Sequence, residues 1–492
     1  MALRTIDIRT ALTVFPTHHR CIFVLAIVCL GLMRTAGAAR GYDYTISTTE
    51  ALLSLSVSLC FGDRARPEAL RASSELARRL GRIETRDANG QTTTLRMADN
   101  IVRLPGDLTG CVHYDVALPP GHEGDRRAAV HRHNGAVMFS LDRFALTPSS
   151  SDRWESTRLV FRLPPEVGVS APGIETHNAD GDRVFTLRDR PHSWHGDIVL
   201  GQMSTDTLVI GGSHLRVSVV GRSGADQRSR LKRWLSAGAD ALTGVYGRFP
   251  VDQVQVLIVP LGRDSDPVPW GEVVRGGGDA VHLYVDGTRT LEELNANWVL
   301  CHELSHLLHP YVAAGGSWLP EGIASYYQNV LRARAGLITA QTAWRKLNAG
   351  FVRGLKQTTG ERSLVNATRA MMRRGEYMRV YWSGAAMALI ADVELREQSG
   401  GTVSLDTILD QLSRCCLPAT RRWDPGELMA EMDRIAGSDV FMRLYEDYVR
   451  RPVFPDVRDT YRALGIDAGA KPLDDGTNRD AAKLRSAIMG GD

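Results

Sequence analysis

Two histidines stand four residues apart in the string His302-Glu303-Leu304-Ser305-His306, on a segment where Leu291, Leu294, Trp298, Cys301 and Leu308 recur at helical spacing. On a helix they lie one turn apart on the same face, so both imidazoles can reach one tetrahedral zinc ion at about 2.0 to 2.1 Å. Glu303 points beside them, placed to take a proton from a metal-activated water as it attacks a carbonyl. With 14 His in 492 residues, chance yields this pattern roughly 0.02 times per chain. The competing reading is a pair of polar histidines satisfied on a partly buried helix.

A catalytic zinc takes three protein ligands and leaves one position open. The next informative string, Trp318-Leu319-Pro320-Glu321-Gly322-Ile323-Ala324-Ser325-Tyr326-Tyr327, places Glu321 after a gap of fourteen residues from His306, on an adjacent helix that can complete the set. Taken alone, Glu321 would be a first-turn acid favoured by its helix dipole. The histidine pair shifts the balance to a ligand set of His302, His306 and Glu321.

These two strings resemble the motifs of the gluzincin zinc metallopeptidases, particularly the glycyl-aminopeptidase and alanyl-aminopeptidase families. In those families an H-E-x-x-H helix is followed by a W-x-x-E-G-x-A-x-Y helix. A third string, Tyr381-Trp382-Ser383-Gly384-Ala385, is similar to their Y-x-K-G-A segment, with Ser383 in place of lysine. The resemblance implies that Tyr381 stabilises the tetrahedral intermediate; a helix tyrosine used only for packing is the plainer alternative. In outline it extends from about residue 40 to 465, while its strong motifs cover 302 to 327. Two departures stand out. The gap before Glu321 is shorter than in the alanyl-aminopeptidase family, and no G-A-M-E-N segment is found, Gly276-Gly277-Gly278-Asp279-Ala280 occupying the corresponding place. That leaves single-residue removal and internal cleavage both open. The glycine run is either a simple turn or the approach to an edge strand, Ala280 to Val285, that pairs with an extended peptide.

Other candidates fit less well. His309 shares the face of the pair but stands a turn beyond it before Pro310, and reads as a polar or cationic group at the helix end. A metzincin would need glycine at 309 and histidine at 312, where His309 and Val312 stand. His131 and His133 read as part of a polar loop with Arg126, Arg127 and Arg132. Asn178, Asp180, Gly181 and Asp182 lack the downstream glutamate of a calcium loop and read as a hairpin turn.

The elements that would position this chemistry fall into an α+β arrangement: a β-sandwich-like N-terminal domain, a thermolysin-like zinc catalytic domain and a helical C-terminal region. Residues 39–224 are β-rich, with period-two alternation at 53–61 and 112–118, further strands at 158–163, 206–212 and 215–221, and an inserted helix at 67–80. Residues 225–336 form the catalytic part: a helix at 227–247, strands at 254–259 and 280–285, one helix over 291–309 stopped by Pro310, and another from Pro320. Residues 337–492 are helical, with segments at 338–356, 377–397, 403–413 and 426–448.

Ahead of these, Arg4, Arg9 and Arg20 precede an apolar run from Cys21 to Met33, and Ala36-Gly37-Ala38 supplies a small-residue cleavage site. Residues 1–38 therefore read as a signal peptide, with export to the periplasm or exterior; an uncleaved membrane anchor is the alternative. Cleavage lowers the basic residues from 59 to 55 and the acidic ones from 56 to 55. A neutral mature chain carries no footprint for nucleic acid or an anionic membrane. Of the cysteines, Cys60 and Cys111 could bridge two strands in an oxidising compartment, while the neighbours Cys415 and Cys416 are poor candidates for each other. The function this predicts is hydrolysis of peptide or protein substrates by a zinc metallopeptidase, with a gluzincin-like binding or assembly module that has lost turnover as the alternative. Intact Glu303 favours the enzyme.

Overall fold

Strands of alternating serine and branched residues must hide one face, and Leu55, Val57 and Leu59 are buried while the serines between them face out. In a computed structural model that describes residues 41–62, 66–86, 91–106, 108, 110–119, 130–149, 156–187, 196–417, 421–467, 469–471 and 479–490, these residues belong to an eight-stranded sheet. Its centre pairs Tyr42–Thr48 with Ser54–Phe61, and Ser54–Phe61 with Cys111–Ala117. Two four-stranded sheets complete the N-terminal domain, and all three contribute to one apolar core. The hydroxyls of Tyr44 and Tyr114 pin Leu146 from both sides, one donating to its carbonyl at 2.6 Å and the other accepting from its N–H at 3.2 Å. Cys60 sits directly opposite Cys111 in the strand register, and the two are disulfide-bonded. The proposed signal peptide, and Arg126 and Arg127, lie outside the described residues.

A fourth sheet carries the catalytic half. Its order is Met203–Ile210, Ser213–Val220, Gln253–Leu261, Ala280–Asp286 and Trp270–Val274, with the three inner strands parallel. Parallel strands covered on both faces read as unbroken apolar runs, as Val256–Leu261 does within Gln253–Leu261. One face, with Val256, Ile258, Val281 and Leu283, packs into the helical core. The other, with Leu257, Val259 and Tyr284, packs on Ala136, Met138 and Val199 of the N-terminal domain. The hairpin 203–220 therefore belongs to the catalytic sheet, and a domain boundary at 224 would cut that sheet in two. Its alternation resembled that of the strands before it, and only pairing with Gln253–Leu261 distinguishes it.

Ala280–Asp286 is likewise paired on both sides, so it is not an edge strand; Trp270–Val274 is. The glycine run makes the turn between them. Gly277 and Gly278 hold φ of +86° and +144°, and a Cβ at Gly278 would lie 2.4 Å from the backbone nitrogen of Gly173.

The single helix expected over 291–309 is three pieces. Leu291–Ala296 starts with a Thr290/Glu293 capping box and stops at Asn297, whose side chain accepts from the Val299 N–H at 2.8 Å. Val299–Ser305 follows, then a 3-10 turn His306–Leu308 that ends in extended backbone at His309, as the residue before proline requires. Residues 67–80 hold a four-residue helix, Ser74–Ala77, rather than a long one. Beyond Trp318 the chain is helical, including a helix Leu364–Arg374 that its arginines and methionines had hidden from the sequence reading. Cys415 and Cys416 are bonded to each other, against expectation, where the helix Leu405–Cys415 ends and the backbone at Cys416 leaves helical geometry. Among the described residues no helix is long and apolar enough to cross a membrane.

Candidate active site

The helix Val299–Ser305 is buried along its whole length. Val299, Leu300 and Leu304 enter the helical core, which leaves His302, Glu303 and His306 to line a cleft of about 450 Å³. Two glycines allow the close approach. A Cβ at Gly238 would meet Leu300 Cδ2 at 2.5 Å, and one at Gly271, on the edge strand, would meet Glu303 Cγ and Val299 Cγ1 at 2.7 Å.

The third ligand arrives on the helix Trp318–Arg334, which crosses Tyr377–Ser399 at a contact without side chains. A Cβ on Gly322 would lie 2.3 Å from the carbonyl carbon of Gly384. The small residues of two sequence motifs therefore bring backbones together. Their neighbours Glu321 and Tyr381 then meet over His302, whose ring lies parallel to that of Tyr381 at 6.0 Å.

Glu321 Oε2 lies 3.2 Å from His302 Nε2 and 3.6 Å from His306 Nε2, and one donor atom from each of the three falls within 4.8 Å of the others. The opposite ring nitrogens are spoken for. His309 Nδ1 donates to the Pro310 carbonyl at 2.9 Å, so its Nε2 is left to accept from His306 Nδ1 at 3.3 Å. His302 Nδ1 donates to Gln328 Oε1 at 2.9 Å. His302 and His306 thus both hold the tautomer with an Nε2 lone pair aimed at Glu321. This donor set fits zinc.

Burial depresses His309 to about 3 and His306 likewise to about 3. His309 is therefore a neutral acceptor, not a cation at a helix end, because it is buried beside Arg275. Burial would raise Glu321, but His306, His302 and Tyr381 together hold it below its ordinary value. Burial pushes Glu303 up to about 7, against the opposing charge of His302 and a hydrogen bond from the Val273 backbone.

His302, Glu303, His306, Glu321 and Tyr381 all line one cleft, as their motifs implied. His131 and His133 do not join it. They lie on a strand, Val130–His133, with His131 near the Tyr284 hydroxyl and His133 Nε2 donating to the Pro260 carbonyl at 2.7 Å. Asn178 caps a hairpin by accepting from the N–H groups of Asp180 and Asp182.

The sequence reading missed Glu272, Gln328 and Arg275. Gln328 stands seven residues after Glu321, two turns along the same helix face, which is a legible signal. Glu272 was missed because the edge strand is Trp270–Val274, ahead of the glycine run, and it carries a glutamate to the cleft.

Residues 311–386 match the M61 glycyl aminopeptidase family, a stretch that includes Glu321 and Tyr381. An aminopeptidase N family protein from Idiomarina loihiensis superposes with a TM-score of 0.67 at 15% identity, covering 86% of this chain and 78% of that one. The chain shares the fold of that aminopeptidase N family protein. A zinc metallopeptidase of the M1 family from Deinococcus radiodurans shares this fold with a TM-score of 0.54 at 17% identity, over 89% of this chain and 96% of that one. Yeast LTA4 hydrolase does so with a TM-score of 0.53 at 12% identity, over 85% and 68%. No curated protein matches the chain in sequence.

Proposed function

We propose that this chain is a zinc-dependent metallopeptidase with a thermolysin-like catalytic unit beginning at Met203, acting as an aminopeptidase. The observation that carries the reading is the convergence of His302, His306 and Glu321 beside Glu303 and Tyr381 in one cleft. Zinc held by the three ligands supplies Lewis acidity toward a substrate carbonyl and toward water. Glu303 takes the proton of the attacking water on its carboxylate and hands it to the leaving amine nitrogen. The Tyr381 hydroxyl donates to the oxygen on which charge develops. An extended peptide lies along the outer edge of Trp270–Val274, forming backbone hydrogen bonds there. Glu272 on that strand offers a carboxylate to a free amino terminus. The M1 zinc metallopeptidase of the same fold was crystallised with a Tyr-Ser-Ala substrate, which supports a peptide in this cleft.

The test is a library of blocked and unblocked peptides, with metal analysis of the same sample. The expected result is about one zinc per chain and release of single amino-terminal residues. Glu303→Gln should keep the zinc and lose turnover by roughly 10² to 10⁴, whereas His302→Ala or His306→Ala should lose the metal. A metal-free preparation that cleaves peptides at the normal rate would overturn the reading. The same proposal places the mature protein in the periplasm or outside a bacterial cell after cleavage near Ala38. Amino-terminal sequencing of exported protein tests that, and residues 1–33 retained in a membrane fraction would refute it.

A further inference from the structure

The cleft has a basic end that peptide hydrolysis, as described, leaves unused. Arg422 is exposed and lines the same cleft as Glu303 and Glu321. Its guanidinium carbon stands 4.9 Å from the ring centre of Tyr311, and that of Arg275 stands 6.0 Å from the same ring. Both distances are those of cation–π contacts.

The two arginines differ in what else they do. Arg275 is a brace: it donates to the carbonyls of His306 and His309, and its charge faces Asp279 at 3.9 Å. Arg422 has no carboxylate within ion-pair distance among the described residues. Nor is it loosely placed. The Trp423 N–H donates to the Tyr311 carbonyl at 2.7 Å and the Ala313 N–H to the Trp423 carbonyl at 2.9 Å, an isolated parallel bridge that ties the loop after helix Leu405–Cys415 to the cleft wall. The preceding Arg421 stacks on Trp423 at 3.7 Å and faces Glu427 at 3.7 Å.

Along the edge strand, Arg275 stands three residues beyond Glu272, roughly 10 Å of extended chain. A peptide lying there with its first residue near Glu272 brings its second or third residue to the Tyr311 end. Resting on the peptidase reading of this site, we propose that Arg422, oriented by Tyr311, binds a carboxylate of the substrate beyond the scissile bond. That carboxylate is either the carboxyl terminus of a short peptide or an acidic side chain.

Binding is measured by calorimetry on zinc-loaded Glu303→Gln, with and without Arg422→Ala; Arg422 is exposed, so its truncation leaves the core intact. The probes are Ala-Ala-Ala, Ala-Ala-Ala-amide and Ala-Glu-Ala-amide. The expected result is that one acidic probe binds about tenfold tighter than Ala-Ala-Ala-amide, as a charge-assisted contact allows, and that Arg422→Ala erases the difference. Preference for Ala-Ala-Ala assigns the terminus and preference for Ala-Glu-Ala-amide the side chain. Equal binding of all three, no binding of any, or a preference that survives Arg422→Ala would overturn the proposal. Wild-type cleavage is scored separately: a preference erased by Arg422→Ala in a chain that hydrolyses nothing keeps the carboxylate site and rejects the peptidase.

Discussion

At the scale of single residues, the site depends on protons being in the right places before any metal arrives. The line from the Pro310 carbonyl through His309 to His306 settles where each proton sits, and Gln328 does the same for His302. His309→Ala removes the acceptor for His306 Nδ1 and should weaken zinc binding by roughly 10- to 100-fold, read by competition with a chelator. Unchanged affinity would show that His306 needs no partner. Tyr381 is a different case because its ring packs on His302 as well as presenting a hydroxyl. Tyr381→Phe keeps the packing, so zinc content should hold while turnover falls by roughly 10² to 10³. A change in substrate affinity alone would instead point to ground-state binding.

At the scale of elements, the decisive contact is the crossing of helices Trp318–Arg334 and Tyr377–Ser399. A Cβ at Gly384 would lie 1.9 Å from the Trp318 carbonyl oxygen, a distance that side-chain repacking cannot relieve. Gly384→Ala must push the helices apart, costing about 1 to 3 kcal/mol in stability. Because Glu321 and Tyr381 ride on those two helices, the variant should also lose zinc affinity and turnover together. Denaturant unfolding and metal titration of one preparation check this; wild-type stability in Gly384→Ala would contradict the contact.

On the scale of the whole molecule, the N-terminal sheets are fastened to the catalytic sheet by a partly buried ion pair. Arg216 Nη1 is 3.0 Å from Glu175 Oε2, and its Nη2 donates to the carbonyls of Ala171 and Gly173 at 2.9 and 2.7 Å. The guanidinium also lies over the Phe185 ring at 5.0 Å. Removing only the cation leaves those carbonyls without their donor. Arg216→Ala should therefore destabilise the protein by roughly 3 to 5 kcal/mol. Thermal unfolding measures the loss, and a shift of less than a degree would show that the N-terminal domain is held by its apolar contacts alone.

The sequence by itself determined the juxtaposition of His302, Glu303 and His306, because residues one helix turn apart must keep a fixed spacing and are legible as a string. His302 lies on Val299–Ser305 and His306 is the residue that caps its C-terminal end, one turn on. The sequence also determined the turn at Asn178, which is local, whereas Cys60 and Cys111 could only be offered as a pair until the register of their strands placed them opposite each other. The edge of the sheet was not legible. Trp270–Val274 and Ala280–Asp286 are both short apolar runs, and which one lies outside depends on pairing with residues 253–261. Nor was the protonation of His309, whose burial comes from surrounding segments, or the meeting of Arg422 with Tyr311 across 111 positions of chain. Spacing along the chain encodes what one element presents; only the tertiary structure decides which elements face each other, because that choice is made by packing between segments remote in sequence.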